Sequence, residues 1–414
     1  MCALTALAAA GVVAGCSSRP AAEAEPGGVL FVYVALPASQ IKQPDAIDAV
    51  IERLDLLRKP FRELHPSVRI QFIPFAEEQL IHQVRRRNWE GLGPDLLLVT
   101  DRMALELRRL DLSRPATAPA DLISQLDPLA VQRLRQPDGQ LAGLPVLLQT
   151  EQACFNRRLL PESPATLQAL LQTSAGGVPV GLSLAPQDLA WLLGGFGADG
   201  AIAVASRGER PSPRSQAALV QMLQWLADAN LQEQVSVFTS EEPMLRRFSA
   251  GELAWIPCRS GDLSRLRHSL DDDLGVAGLP RGPRGEATPI NTLRVWAFGR
   301  NSSARQQDTA ELWTRFSITP IVQRRLTLQT SGNLPVNLQL PVPVESSATL
   351  RTLEATRQQA GRAPGAEAVR GIDGERLTQM RRLINDVAFQ TLAPRTAAQT
   401  LIDSLITGAA EGRP

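Results

Sequence analysis

The chain has 414 residues, enough for two or three domains of average size, and its 44% hydrophobic and 21% charged residues are ordinary for a soluble globular protein. A formal net charge of +1 excludes the strong field that would draw it to nucleic acid or an acidic membrane. Three histidines, four cysteines without metal spacing and no Gly-x-Ser-x-Gly elbow give no support to metal or nucleophilic hydrolase chemistry, so neither a catalytic set nor a metal or cofactor is expected. Aromatic residues are only 4%, with Tyr33 the single tyrosine, which limits ring stacking on a ligand.

Ala3 to Gly15 is an apolar run of small residues, too short to span a bilayer, ending in Val13-Ala14-Gly15-Cys16. Residues 17–28 form a polar tether rich in Ala, Gly, Pro and Ser. Val29 to Ala35 is a β-rich apolar run, as in a strand covered on both faces. Pro44 to Leu64 keeps helical spacing through Ile47, Val50, Ile51, Leu54 and Leu57, with Pro60 expected to kink it or to start a second helix. Val68 to Ile73 alternates like a strand, Ala76 to Trp89 reads as a helix, and Asp95 to Val99 is a second buried strand. This β-α-β-α-β order predicts a parallel sheet with helices on its faces and ligands beyond the carboxyl ends of its strands, where Thr100-Asp101-Arg102 lies.

Further helices are expected over 165–172, 186–196, 213–230, 244–250, 308–317 and 320–329, and strands over 178–183, 253–256, 274–279 and 293–298. Residues 340–374 read as loop with one helix near 349–359, before closing helices over 375–391 and 394–406.

Asp138 to Asn156 is the most informative stretch. The turn Asp138-Gly139 leads into apolar Leu141 to Leu148 with Pro145 inside, then Gln149-Thr150-Glu151-Gln152 and Ala153-Cys154-Phe155-Asn156. Proline suits an extended segment running between two bodies better than a central strand, and polar side chains midway would face the cleft between them. This pattern resembles the first hinge-crossing strand of the extracellular solute-binding proteins of family 1, the maltose-binding-protein-like receptors of ABC importers. Five further pieces resemble that family in order: His65-Pro66-x-Val68-x-Ile70, Gly93-Pro94-Asp95-Leu96, Phe248 to Ala254, Gly275 to Pro280, and Ser331 to Val336. Val13 to Cys16 likewise resembles the lipobox of bacterial lipoproteins, with Cys16 the acylated residue; no Lys or Arg precedes the apolar run, so the true start is expected upstream.

The resemblance implies an α/β periplasmic-binding-protein fold of type II, with residues 28–147 plus 288–338 in lobe one and 148–287 plus 339–410 in lobe two. It implies a monomeric, lipid-anchored receptor of the periplasm or cell envelope that closes on a sugar or polyol and hands it to importer permease subunits. Four segments are expected to line the cleft: Asp101 and Arg102; Gln149, Thr150 and Glu151; Gln187, Asp188 and Trp191; Arg259, Ser260 and Asp262. Asp101 has a competing reading as a helix cap, and Trp191 as core. Cys154 and Cys258 are open between a pair and two buried thiols. The alternatives are a binding or sensory lipoprotein of the same fold and an envelope glycoside hydrolase using carboxylates such as Glu151 and Asp188.

Overall fold

The structure, a computed structural model, describes residues 27–411 except 43, 331, 361–363 and 373. The expected signal segment, Cys16 and most of the tether lie outside the described residues. Two sheets divide the chain. The first joins β1 (Gly28–Leu36), β2 (Val68–Ala76), β3 (Leu96–Thr100), β4 (Ser113–Arg114), β5 (Leu144–Gln149), β11 (Thr292–Gly299) and β12 (Leu334–Pro335), in the order β12-β5-β11-β3-β1-β2 with β4 on β11. The second joins β6 (Glu151–Asn156), β7 (Val180–Ser183), β8 (Val235–Phe238), β9 (Trp255–Arg259) and β10 (Leu274–Ala277), in the order β10-β6-β9-β7-β8. Helices flank both, giving the expected two-lobed α/β architecture.

The β1-β2 and β1-β3 pairs are parallel, as the β-α-β-α-β order requires. Leu30, Val32, Val34 and Ala35 of β1 are fully buried, which is why the strand reads as an apolar run without alternation. β5 is an internal strand despite Pro145. The proline pairs with Val295 beside a register shift between Arg294 and Val295, so the ladder breaks where the proline has no N–H to give. Only Thr150 separates β5 from β6, and the two strands belong to different sheets.

Alternation along β6 divides the cores. Cys154 joins the core shared with the first sheet, whereas Ala153 and Phe155 face a second core on the opposite side. Cys154 and Cys258 form a disulfide between β6 and β9, with Cα atoms 5.8 Å apart. This resolves the choice left open by the sequence.

Several expected elements need correction. Of the two readings of Pro60, the second helix is ruled out: Pro44–Leu64 is one helix with Pro60 inside it. The expected helix over 186–196 is broken into Pro186–Leu189 and Leu192–Phe196. The stretch read as loop after residue 360 contains a helix, Pro364–Gly371. The helices Asp199–Ala205 and Leu263–Leu270 and the strand β8 had no counterpart in the sequence reading.

The disulfide closes a loop with a sequence separation of 104 residues. Replacing both cysteines by alanine is expected to lower stability by about 2–5 kcal/mol, read by chemical denaturation of oxidised protein. Equal stability of variant and parent under oxidising conditions would contradict the bond.

Candidate functional site: a charged cleft between the sheets

The carboxyl ends of β3, β7 and β9 and the β5-β6 crossing open onto one cleft of about 690 Å³. The crossing sets its geometry. The Thr150 N–H donates to Ser260 Oγ at 3.0 Å, and the Ser260 N–H donates to the Thr150 carbonyl at 2.8 Å. Both residues are buried and neither lines the cleft. This corrects their assignment as ligand contacts: Thr150 and Ser260 tie the crossing together. Gln149 and Glu151, on either side, do line the cleft. Gly261 and Gly332 permit the close approach there: a Cβ on Gly332 would lie 1.9 Å from the Ser260 carbonyl oxygen, and one on Gly261 2.5 Å from Gln149 Nε2. Gln149 Nε2 instead donates to Asn333 Oδ1 at 3.0 Å.

Of the remaining expected contacts, Asp101, Arg102, Gln187, Asp188, Arg259 and Asp262 all line the cleft. Trp191 does not. It is fully buried, 6.5 Å from the Trp255 ring between centroids, and packs in the second core. Trp296 reaches the cleft lining but is fully buried, its indole N–H donating to Ser317 Oγ at 2.9 Å. The cleft therefore offers no exposed tryptophan face.

Asp101 is not the cap of its helix. Thr100 is, its hydroxyl accepting from the Met103 N–H, while Asp101 is 1% exposed and pairs with Arg370. Arg370 sits on the helix Pro364–Gly371, which packs on Asp199–Ala205 beside the second sheet. The same helix presents Glu367 to Arg133 of the helix Pro128–Leu134. Two ion pairs thus bridge the elements of the two sheets. The flanking charges of Asp101 and Glu367 raise the pKa of Arg370 although burial opposes it.

Charge crowds the other end. Arg259 Nη2 is 2.6 Å from Asp188 Oδ1, and its Nη1 is 3.4 Å from Glu241 Oε2. Asp188 also accepts from the Ser183 hydroxyl at 2.6 Å. Glu151, 5% exposed, accepts from the Ile290 N–H at 3.2 Å and has no cation within ion-pair distance among the described residues. Burial pushes the Glu151 carboxyl well above its ordinary range and Glu241 up to about 8, against the pull of Arg259. Burial also raises Asp262, opposed by Arg265 and Arg259. Across the cleft, Arg294 donates to the carbonyls of Ala35 and Leu98 at 2.8 and 3.1 Å and faces Glu77 at 3.6 Å.

Glu241, Glu242, Arg294 and Arg370 were missed in the sequence. A strand over 235–238 would have placed Glu241 and Glu242 at a helix start beyond a strand's carboxyl end, the position where such sheets gather ligand contacts. Among the described residues no group of His, Cys, Asp and Glu is arranged to hold a metal ion, and no helix is long and apolar enough to cross a membrane.

Two predictions follow from these placements. Trp191→Ala should cost about 3–5 kcal/mol of stability, measured by denaturant titration, as loss of a core indole rather than of a ligand contact. Second, between the ordinary carboxylate range and pH 8 the folded chain holds a proton at Glu241 that the unfolded chain has released. Stability therefore falls as pH rises through that window, by at most about 1.4 kcal/mol per pH unit for each such proton. Glu241→Gln should flatten the pH profile of the unfolding free energy; an unchanged slope would count against the raised carboxyl.

No protein-family model matches the sequence, and no curated protein does. Solved structures match over nearly the whole length. The GacH receptor of Streptomyces glaucescens, solved unliganded and with acarbose and an acarbose homolog, is 16% identical with a TM-score of 0.76, covering 94% of this chain and 100% of that one. Maltose-bound MalE3 of T. maritima is 16% identical with a TM-score of 0.70, covering 91% and 98%. An ABC transporter solute-binding protein of Thermotoga lettingae, bound with α-D-tagatose, is 12% identical with a TM-score of 0.71, covering 92% and 99%. The chain has the two-lobed fold of the maltose-binding-protein-like solute-binding proteins.

Proposed function

We propose that the chain is an extracytoplasmic solute-binding receptor that closes on a sugar or polyol and presents it to an ABC importer. The observation that carries this reading is the polar cleft between the two sheets, walled on both sides by hydrogen-bonding side chains at strand ends. Carboxylates accept paired hydroxyls and arginine donates in a fixed fork, the chemistry a polyol demands. The scarcity of accessible aromatic faces favours a small, polar solute over a stacked oligosaccharide. The structurally similar proteins, solved with acarbose, maltose and tagatose, support the solute class. Lobe one would hold residues 28–147 plus 288–338 and lobe two 148–287 plus 339–410, with anchoring through an acylated Cys16 and a monomeric working state. No chemistry on the solute belongs to this reading.

Closure is a hinge motion that the solute drives by touching both walls. A solute at 100 times its Kd adds about 2.7 kcal/mol to stability. A panel of sugars and polyols should therefore contain members that raise the melting temperature by several degrees and shrink the radius of gyration in small-angle scattering. A panel without any shift would overturn the receptor reading. Arg370→Ala breaks the pair with Asp101 and should leave the unliganded protein more open in scattering; an unchanged profile with unchanged affinity would remove the pair from the closure mechanism.

A further inference from the structure

The end of the cleft beneath β7 and β9 holds more carboxylates than cations. Asp188 and Glu241 share the single guanidinium of Arg259, at 2.6 and 3.4 Å. Glu151 pairs across the β6-β9 ladder with the same arginine's backbone position, yet has no ion pair of its own. One of its oxygens accepts from the Ile290 N–H; the other has no partner among the described residues, although the side chain is 95% removed from solvent by its 5% residual exposure and lines the cavity.

The other arginines do not make up the difference. Arg294 is engaged by Glu77 and two carbonyls, Arg370 by Asp101 and Glu367, and Arg265 by Glu242 and Asp262. Arg102 and Arg381 are exposed at the cleft lining, and Arg53, half-buried there, acts on Asp262. A neutral sugar hydroxyl would satisfy the free oxygen of Glu151 but would leave three acids around one guanidinium. An anionic solute would add to the crowding. A protonated amine would relieve it, donating up to three charge-assisted hydrogen bonds where carboxylates already converge.

Building on the receptor reading above, we propose that this end of the cleft takes the ammonium group of an amine-bearing carbohydrate, held by Glu151, Asp188 and Glu241. The rest of the solute lies toward Gln149, Asp101 and Arg102, whose donors and acceptors suit hydroxyls. The bound cation also draws off protons that burial keeps on Glu151 and Glu241 in the empty cleft, so uptake releases protons.

The test is titration calorimetry of the full chain at neutral pH. Its probes are glucosamine and its β-1,4 dimer against glucose, cellobiose and N-acetylglucosamine, repeated in two buffers of different ionisation enthalpy. The amines are expected to bind at least about tenfold tighter than their neutral counterparts, a difference of about 1.4 kcal/mol, with heats that depend on the buffer. Glu151→Gln and, as a second variant, Glu241→Gln should each bring the ratio of amine to neutral-sugar affinity close to one, whatever either does to the affinity for the neutral sugar; an unchanged ratio in both overturns the amine assignment. Equal or tighter binding of neutral sugars overturns the amine assignment and leaves the receptor reading standing. Absence of binding for every probe, amine and neutral, overturns both.

Discussion

A single residue, Thr150, carries the chain from one sheet to the other, and the cleft exists because of how that residue is held. Side chains alternate across extended backbone, so Gln149 and Glu151 point one way and Thr150 the other. Reciprocal backbone and hydroxyl hydrogen bonds with Ser260 lock the parity. A slip of one residue would turn Gln149 and Glu151 away from the cleft and the threonine toward it. The glycines at 261 and 332 let three strands' ends meet at this point, since a methyl group on either would strike its neighbour. The disulfide from Cys154 to Cys258 fastens the same two strands one step further in. Rigidity at the crossing thus places two ligand-facing side chains without help from a loop.

With few aromatic residues to spare, the protein builds its cleft from charge. Burial is expensive for each ion, and a buried carboxylate without a partner shifts toward its neutral form instead. Glu151 is in that situation, and Glu241 shifts the same way although it shares Arg259, whereas Asp188 keeps both a guanidinium and a hydroxyl. Ion pairs in such a site need not stabilise the fold, because desolvation offsets much of the attraction. Their value is geometric: Arg259 fixes Asp188 and Glu241 at set positions around the cleft opening.

Most of the longer strands and the long helices were legible because their patterns are local. The amphipathic helix Pro213–Asn230 matches its sequence reading end to end, starting at its Ser212 cap and Pro213. β1 and β3 were visible as unbroken apolar runs. Pro364–Gly371 was not, since its Pro, Gly, Ala and Arg content reads as loop. Its first turn depends on Asp199, whose carboxylate accepts from the N–H groups of Gly365 and Ala366, a partner distant in sequence. Trp191 was misread for a related reason: its indole packs near Trp255 in the second core, a neighbour distant in sequence. The pairing of Cys154 and Cys258 was unreadable from spacing because it follows from the register of β6 on β9, which only the assembled sheet fixes.

The unpredicted helix is also where fold and function meet. Pro364–Gly371 rests on elements of the second sheet, yet sends Arg370 to Asp101 and Glu367 to Arg133 in elements of the first. Asp101 lines the cleft. One carboxylate is therefore both part of the cleft wall and the far end of an ion pair that spans the two sheets' elements. A solute hydroxyl that hydrogen-bonds Asp101 competes with Arg370 or joins it; in either case its binding energy is coupled to lobe position through a single side chain. Coupling of that kind requires a differential contact between open and closed states, and an ion pair that spans the two sheets' elements is the type of contact that lobe separation would break.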